Sequence, residues 1–416
     1  MREISRIIDG KRKIIKKPEL LAPAGNLEKL KVAIMYGADA VFVGGKEFSL
    51  RSQASNFTIE DIKEAVEFAR LYNSHIHVTC NIILHADNLE GIKEYLQTLD
   101  DIGVTAIIVA DPYIIDIAKN MNLKLEVHVS TQLSTLNLNA IEFYKDMGAD
   151  RVVLGRETTY EDLKVIMDKT PVDIEYFIHG AMCIHYSGRC MLSNYLSRRD
   201  ANRGGCSQSC RWYYDLYNQN GCINSETDMP FSMSSKDMAL VDHIGELIEL
   251  GVDSFKIEGR MKSLHYIATV VSTYRKLIDA YCEDPDNFNY GDFYRNELNK
   301  AANRALCHGF FYENPTQNEQ LFNLRDEHPT QEFVLRVVEY NPETRLAKIE
   351  QRNYFKLGDK VEIFSPKHDN IVVCVEELFD EDMETIEVAN HPMELLYLRV
   401  DYPVVVNDMG RKVTHE

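Results

Sequence analysis

Gly37-Ala-Asp-Ala-Val-Phe-Val43 joins the end of an amphipathic helix to an apolar strand, and the chain repeats the device at Gly103-Val-Thr105, Gly148-Ala-Asp150 and Gly251-Val-Asp253. Glycine just past a helix can take the left-handed conformation that turns the chain back toward a sheet. Working outward from these turns, strands are expected at Leu20 to Ala24, Ala40 to Val43, His75 to Thr79, Ala106 to Ala110, Leu125 to Val129, Arg151 to Leu154, Ile174 to Ile178 and Ser254 to Ile257. Stretches with helical apolar spacing lie between them, among them Ile59 to Leu71, Leu89 to Leu99, Leu138 to Met147 and Tyr160 to Met167. Eight strands alternating with helices predict a parallel sheet closed into a (β/α)8 TIM-like barrel. The alternative, a doubly wound open sheet, normally shows a glycine-rich nucleotide turn after its first strand, and Pro23-Ala-Gly25 is not one.

Three parts follow along the 416 residues. Residues 1–17 form a basic arm with seven Lys and Arg against Glu3 and Asp9, read as a solvated tail or, more sharply, as an arm touching RNA. Residues 18–330 hold the barrel and a helical closing segment over 292–325. From 331 to 416 the pattern changes to short alternating strands separated by turns such as Asn341-Pro342 and Gly358-Asp359, which predicts a small antiparallel β-barrel domain.

A formal charge of −19 argues against a surface made for non-specific nucleic-acid binding, though it leaves room for a local basic patch. No apolar run approaches the roughly 18 residues of a membrane span, and the first residues lack the apolar core of a signal peptide. A cytoplasmic location is therefore expected, where clustered cysteines more often hold metal than form disulfides.

Five of the nine cysteines, Cys183, Cys190, Cys206, Cys210 and Cys222, fall in an insertion behind the seventh strand, residues 179–234. Such a loop far exceeds the usual two to six residues, and long insertions in compact domains are commonly functional. Cys183 and Cys190 are separated by six residues, Cys190 and Cys206 by fifteen, and Cys206 and Cys210 by three. Four thiolates there could hold an iron-sulfur cluster or tetrahedral zinc, and the uneven spacing leans toward a cluster. Cys222 competes with Cys210 for the fourth position. Cys183 flanked by His179 and His185 could instead form a nucleophile pair, but there is no His-Glu-x-x-His helix and no Gly-x-Ser-x-Gly elbow. Barrel enzymes place their active face at the strand ends. Arg51, His128, Arg156, His179, Lys256 and Arg260 fall there, a set suited to an anionic small molecule or a phosphate backbone.

The segment Glu175-x-Phe177-x-x-Gly180-Ala181-Met182-Cys183-x4-Gly188-x-Cys190-x-Leu192-Ser193 agrees at every signature position with the collagenase-like peptidase family of unknown catalytic type, which the chain resembles. Further matches are Glu19-Leu-Leu-Ala-Pro-Ala-Gly25, Phe48-Ser-Leu-Arg51, Asn202-Arg-Gly-Gly-Cys206-x3-Cys210-Arg-Trp212 and Lys256-Ile-Glu-Gly-Arg260. Within that family the chain is most similar to the branch of prephenate-dependent tRNA hydroxylation. The resemblance implies a 4Fe-4S cluster, prephenate as co-substrate, and tRNA as the substrate that receives 5-hydroxyuridine at its wobble position. Cys183, Cys190, Cys206 and Cys210 would then ligate the cluster, and the six cations and histidines would hold prephenate carboxylates or RNA phosphates. A peptidase and a non-enzymatic RNA-binding or assembly subunit are the other readings, with a paralogous subunit or a second copy of the chain as open partners.

Overall fold

The computed structural model of the chain describes residues 3–8, 10–49, 56–86, 89–223, 231–321 and 332–413. An antiparallel hairpin, β1 (Ser5–Ile8) and β2 (Lys11–Ile14), precedes the barrel. Strands β3 (Glu19–Pro23), β4 (Ala40–Gly44), β5 (His75–Cys80), β6 (Ala106–Val109), β7 (Glu126–Val129), β8 (Arg151–Val153) and β9 (Asp173–Ala181) run parallel in sequence order. After them come β10 (Asp237–Ala239) and β11 (Ser254–Ile257); β11 pairs in parallel with both β9 and β3 and closes the ring of eight. The expected TIM-like barrel is the fold.

Its helices start and stop where the chain chemistry says they should. Asn26 accepts the Lys29 N–H ahead of α1 (Leu27–Met35), and Thr58 with Asp61 forms a capping box ahead of α2 (Ile59–Leu71). Between later strands lie α3 (Ile92–Ile102), α4 (Pro112–Met121), α5 (Leu138–Met147) and α6 (Tyr160–Lys169), the last opened by a second capping box of Thr159 and Asp162. All four glycines of the repeated turn take positive φ, from 77° at Gly251 to 112° at Gly148.

The insertion is more anchored than a loop. β9 runs on to Ala181, and β10 returns antiparallel against its end, pairing Asp237 with Ala181 and Ala239 with His179. Between them sit α7 (Leu192–Ser197) and short antiparallel ladders such as Tyr213–Tyr214 on Phe231–Ser232. Helices α8 (Ile244–Leu250) and α9 (Leu264–Glu283) complete the barrel, with α9 largely buried. The closing segment is less helical than expected: it contains α10 (Phe293–Ala301), then a two-residue strand β12 (Leu306–Cys307) that pairs with β10.

The arm also departs from expectation. Its cations face acidic groups of the barrel base: Arg12 bonds Glu249 and Asp286, each at 2.8 Å, Lys13 bonds Glu283 and Lys16 bonds Asp253. Ile14 is buried with the core. Among the described residues of the arm the cations are paired within the chain, so that part is a structured clasp, neither a solvated tail nor a free basic arm.

The C-terminal domain is an antiparallel sheet of seven strands forming a half-barrel: β13 (Glu332–Asn341), β14 (Leu346–Gln351), β15 (Lys360–Phe364), β16 (Ile371–Cys374), β17 (Leu378–Phe379), β18 (Leu395–Arg399) and β19 (Met409–Lys412). Bulges in β13 bend the sheet around its own apolar cluster. It docks beside α1, α9 and α10. The Tyr36 hydroxyl donates to the Asn407 carbonyl at 2.8 Å, the fully buried Arg411 bonds Glu297 and Glu362 at 2.6 Å, and His265 stacks on Phe333.

Candidate active site at the barrel mouth

A cavity of about 450 Å³ opens at the C-terminal ends of the barrel strands. Phe42, Ile108, Phe177 and Lys256 line its inner end, and its walls are built from the insertion and the segments behind β7, β8 and β11. Cys183, Cys190, Cys206 and Cys210 all line it. Cys222 does not: it pairs with Tyr217 in a small hairpin, which leaves Cys210 as the fourth thiol of the cavity.

Local bonds explain how three stretches of insertion converge. The Glu157 carboxylate accepts the Ser187 N–H at 2.9 Å, and Gly188, at φ 75°, passes so near the Gln132 carbonyl that a Cβ would lie 1.9 Å from its oxygen. Only glycine fits that approach. The Asn202 side chain brackets Cys190, accepting its N–H at 3.3 Å and donating to its carbonyl at 3.0 Å. Arg211 ties the Cys210 turn to the Cys183 segment by donating to the carbonyls of Met182 at 2.7 Å and Ser235 at 2.8 Å.

The thiols sit deep but face open space, so the Cys183 sulfur is accessible from the cavity although protein surrounds it. Burial pushes the Cys183 thiol up, with Arg156 pulling the other way. Burial likewise raises Cys210 against the pull of Arg211, and the thiols of Cys183, Cys206 and Cys190 add repulsion. Four thiols on one cavity are a donor set for a thiophilic metal centre, since the ligands give up their protons as the metal binds. Zinc, with Zn–S bonds of about 2.3 Å, holds its four sulfurs roughly 3.8 Å apart. Among the described residues no three of these sulfurs lie within 4.8 Å of one another, wider than that tetrahedron.

Cations crowd the same cavity: Arg156, Arg211, Lys256, Arg260, Lys262 and Arg304 line it with Glu258 as the acidic counterpart. The Arg156 guanidinium lies 3.8 Å above the Phe177 ring and 3.4 Å from Glu258. Arg260 bonds Asn56 at 2.7 Å, and its guanidinium occupies the space where a side chain on Gly44 would be, 2.1 Å from a Cβ there. The Lys256 ammonium bonds Glu175 at 2.6 Å and lies 4.4 Å from the centre of the Phe42 ring. Such a set binds carboxylates or phosphates, Arg in two-pronged fashion and Lys as a point charge.

Of the six residues expected to bind substrate, Arg156, Lys256 and Arg260 meet in this cavity. Arg51 lies outside the described residues. His128 is fully buried beneath the floor, its Nε2 bonded to Glu126 at 2.9 Å. His179 is packed between β9 and α9, its Nδ1 3.2 Å from the Tyr274 hydroxyl, and burial lowers its pKa to about 4. Neither histidine lines the cavity, so both leave the set that can face a ligand there.

Under the floor, His77, His128 and Glu175 come close enough to suggest a metal triad. Lys256 and Arg151 already neutralise Glu175, at 2.6 and 3.5 Å, and their positive charge disfavours a cation beside them. The group is a buried polar layer of the barrel, and it anchors Lys256 from below. Sequence reading passed over Arg211, Lys262 and Arg304; Arg211 stands directly behind Cys210 in a quoted motif, whereas Arg304 carries no sequence signal.

The description Peptidase family U32 matches residues 25–321, and Peptidase family U32 C-terminal domain matches residues 329–411. The chain belongs to peptidase family U32. It is 51% identical over 414 residues to tRNA hydroxylation protein P1 of Bacillus subtilis, covering 99% of this chain and 98% of that one. It is 40% identical to a 23S rRNA 5-hydroxycytidine synthase of Escherichia coli, over 70% of this chain and 42% of that protein. A protein named collagenase from Porphyromonas gingivalis is 30% identical over 89% of this chain and 92% of its own length.

Proposed function

We propose that this U32 chain is an RNA-hydroxylating enzyme that acts on tRNA, converting wobble uridine to 5-hydroxyuridine with prephenate as co-substrate and a 4Fe-4S cluster on Cys183, Cys190, Cys206 and Cys210. The observation that carries the reading is the convergence of these four thiols on one cation-lined cavity, in a chain half identical along its length to a tRNA hydroxylation protein. The chemistry such a cluster supplies when bound is electron transfer or Lewis acidity at the cavity wall. The chain's own residues do the rest. Arg156 and Arg260 take the carboxylates of the dicarboxylic co-substrate, Lys256 neutralises charge at the inner end, and Phe42 and Phe177 offer the apolar floor on which its ring rests. Arg211 holds the thiol segments in register.

The test is a deletion strain freed of paralogues, whose tRNA nucleosides are analysed by mass spectrometry. Wobble 5-hydroxyuridine and its derivatives should disappear and return with the wild-type gene. An unchanged nucleoside profile would overturn the reading.

The collagenase name of one relative favours a peptidase as the second reading. It needs Cys183 as nucleophile beside a base. Burial pushes that thiol up, away from the thiolate such a nucleophile needs, and among the described residues none of the histidines is hydrogen-bonded to it. Peptide cleavage abolished by Cys183→Ala with metal content intact would establish it.

A further inference from the structure

Three parts of the molecule could meet RNA, and their charges differ. The clasp at the barrel base has its cations paired with acidic groups. The C-terminal domain, from Glu332 to Val413, carries ten Lys and Arg against seventeen Asp and Glu. The insertion from Met182 to Ile223 carries five Arg against two Asp, a positive balance in a chain of −19.

The insertion also concentrates exposed aromatic rings. Tyr195 on α7 is 82% exposed, Tyr186 58% and Trp212 40%. Single exposed apolar residues need no explanation, but aromatic faces interleaved with arginine are the composition of single-stranded RNA platforms, where bases stack on rings and phosphates meet guanidinium groups. Arg198 and Arg199 follow directly on α7, both exposed, and among the described residues neither guanidinium has an ion-pair partner. The short helix packs on the Ser209–Arg211 turn that carries Cys210, so this face is rigidly joined to the cavity wall. Tyr186, 58% exposed, lines the cavity itself.

We propose that this face of the insertion docks a single-stranded RNA loop, with bases stacked on Tyr195, Tyr186 and Trp212 and phosphates held by Arg198 and Arg199. Tyr186 marks the threshold over which the target base passes to the thiols. The inference rests on the RNA reading above and names the surface that serves it.

The experiment measures binding of a fluorescently labelled anticodon stem-loop RNA to the full-length protein over a range of salt. Three proteins are compared: wild type, Tyr195→Ala with Arg198→Ala and Arg199→Ala, and the clasp variant Arg12→Ala with Lys13→Ala. The insertion variant should bind about tenfold or more weakly, with the salt slope reduced by roughly 1.4 for two lost phosphate contacts to a single strand. The clasp variant should bind as wild type does. Two single variants complete the set: Tyr195→Ala should bind more weakly than wild type, and Tyr195→Phe, which keeps the ring, should recover most of that loss. If wild type binds and the insertion variant binds equally well, the docking surface is overturned while the RNA reading stands. If wild type binds no RNA, both fall. If the variant keeps its RNA affinity and changes only its self-association, the face belongs to a second copy of the chain and the proposal is likewise overturned.

Discussion

The ammonium of Lys256 and the carboxylate of Glu175 form a 2.6 Å ion pair inside the barrel, with Arg151 on the far side of the same carboxylate. Burial raises the Glu175 pKa, but the attraction of Lys256, then of Arg151, outweighs it and holds the carboxyl below its ordinary value. Its contribution to stability is therefore complete above the ordinary carboxylate range and is lost as pH falls through the lowered value. Lys256→Met, which leaves the carboxylate with one partner fewer, should lower unfolding free energy by about 3–5 kcal/mol. Adding Glu175→Gln should recover part of that loss. Urea unfolding of the three proteins at neutral pH checks both.

Anaerobically reconstituted Cys183→Ser, Cys190→Ser, Cys206→Ser and Cys210→Ser should each lose most of their iron and acid-labile sulfide, whereas Cys222→Ser should keep the wild-type content. Iron analysis and visible absorption read this out. A colourless wild-type protein that binds zinc alone would sink the cluster.

Gly44→Ala puts a methyl group where the Arg260 guanidinium and the Ser49 hydroxyl lie, 2.1 and 2.6 Å from a Cβ. Arg260 must withdraw toward solvent or the strand must shift. A stability loss of about 1–3 kcal/mol is expected, together with weaker prephenate binding by calorimetry. Unchanged binding would show that Arg260 takes no part in holding the anion.

Two buried histidines make the fold sensitive to mild acid. Burial lowers His265 to about 3 and His179 to about 4, so both stay neutral in the folded chain. The unfolded chain protonates them below about 6.5 and then binds more protons, so stability falls with pH from there toward the folded values. The slope is at most about 1.4 kcal/mol per pH unit for each. His265→Phe, at a site between Phe333 and Phe364, should flatten the fall of melting temperature between neutral and mildly acidic pH.

The barrel is legible in the sequence because its signals are local: apolar periodicity, polar caps, and glycine at the turns that reverse the chain. The cysteine loop is legible as a site for a similar reason, since its thiols are near in sequence. What escapes is depth and pairing. His128 sits on an inward-facing strand position as expected, yet one layer too low to reach the cavity. His179 follows a register shift where Lys256 pairs with Phe177 and Ile257 with His179; the skipped residue turns His179 out against Tyr274. The arm's partners, Glu249, Asp253, Glu283 and Asp286, lie some two hundred and more residues downstream, so no window of sequence could show that its charge is neutralised.

That clasp has a consequence for how the protein responds to its medium. Its ion pairs are mostly solvent-exposed, each contributing about 0–1 kcal/mol and weakened as the screening length shortens with added salt. The apolar barrel core does not depend on such pairs, and the Glu175 ion pairs buried within it are screened far less. Concentrated salt should therefore release the hairpin from the barrel base while the strands above stay closed, and the first protease cut should fall near Gly10, at the hairpin tip.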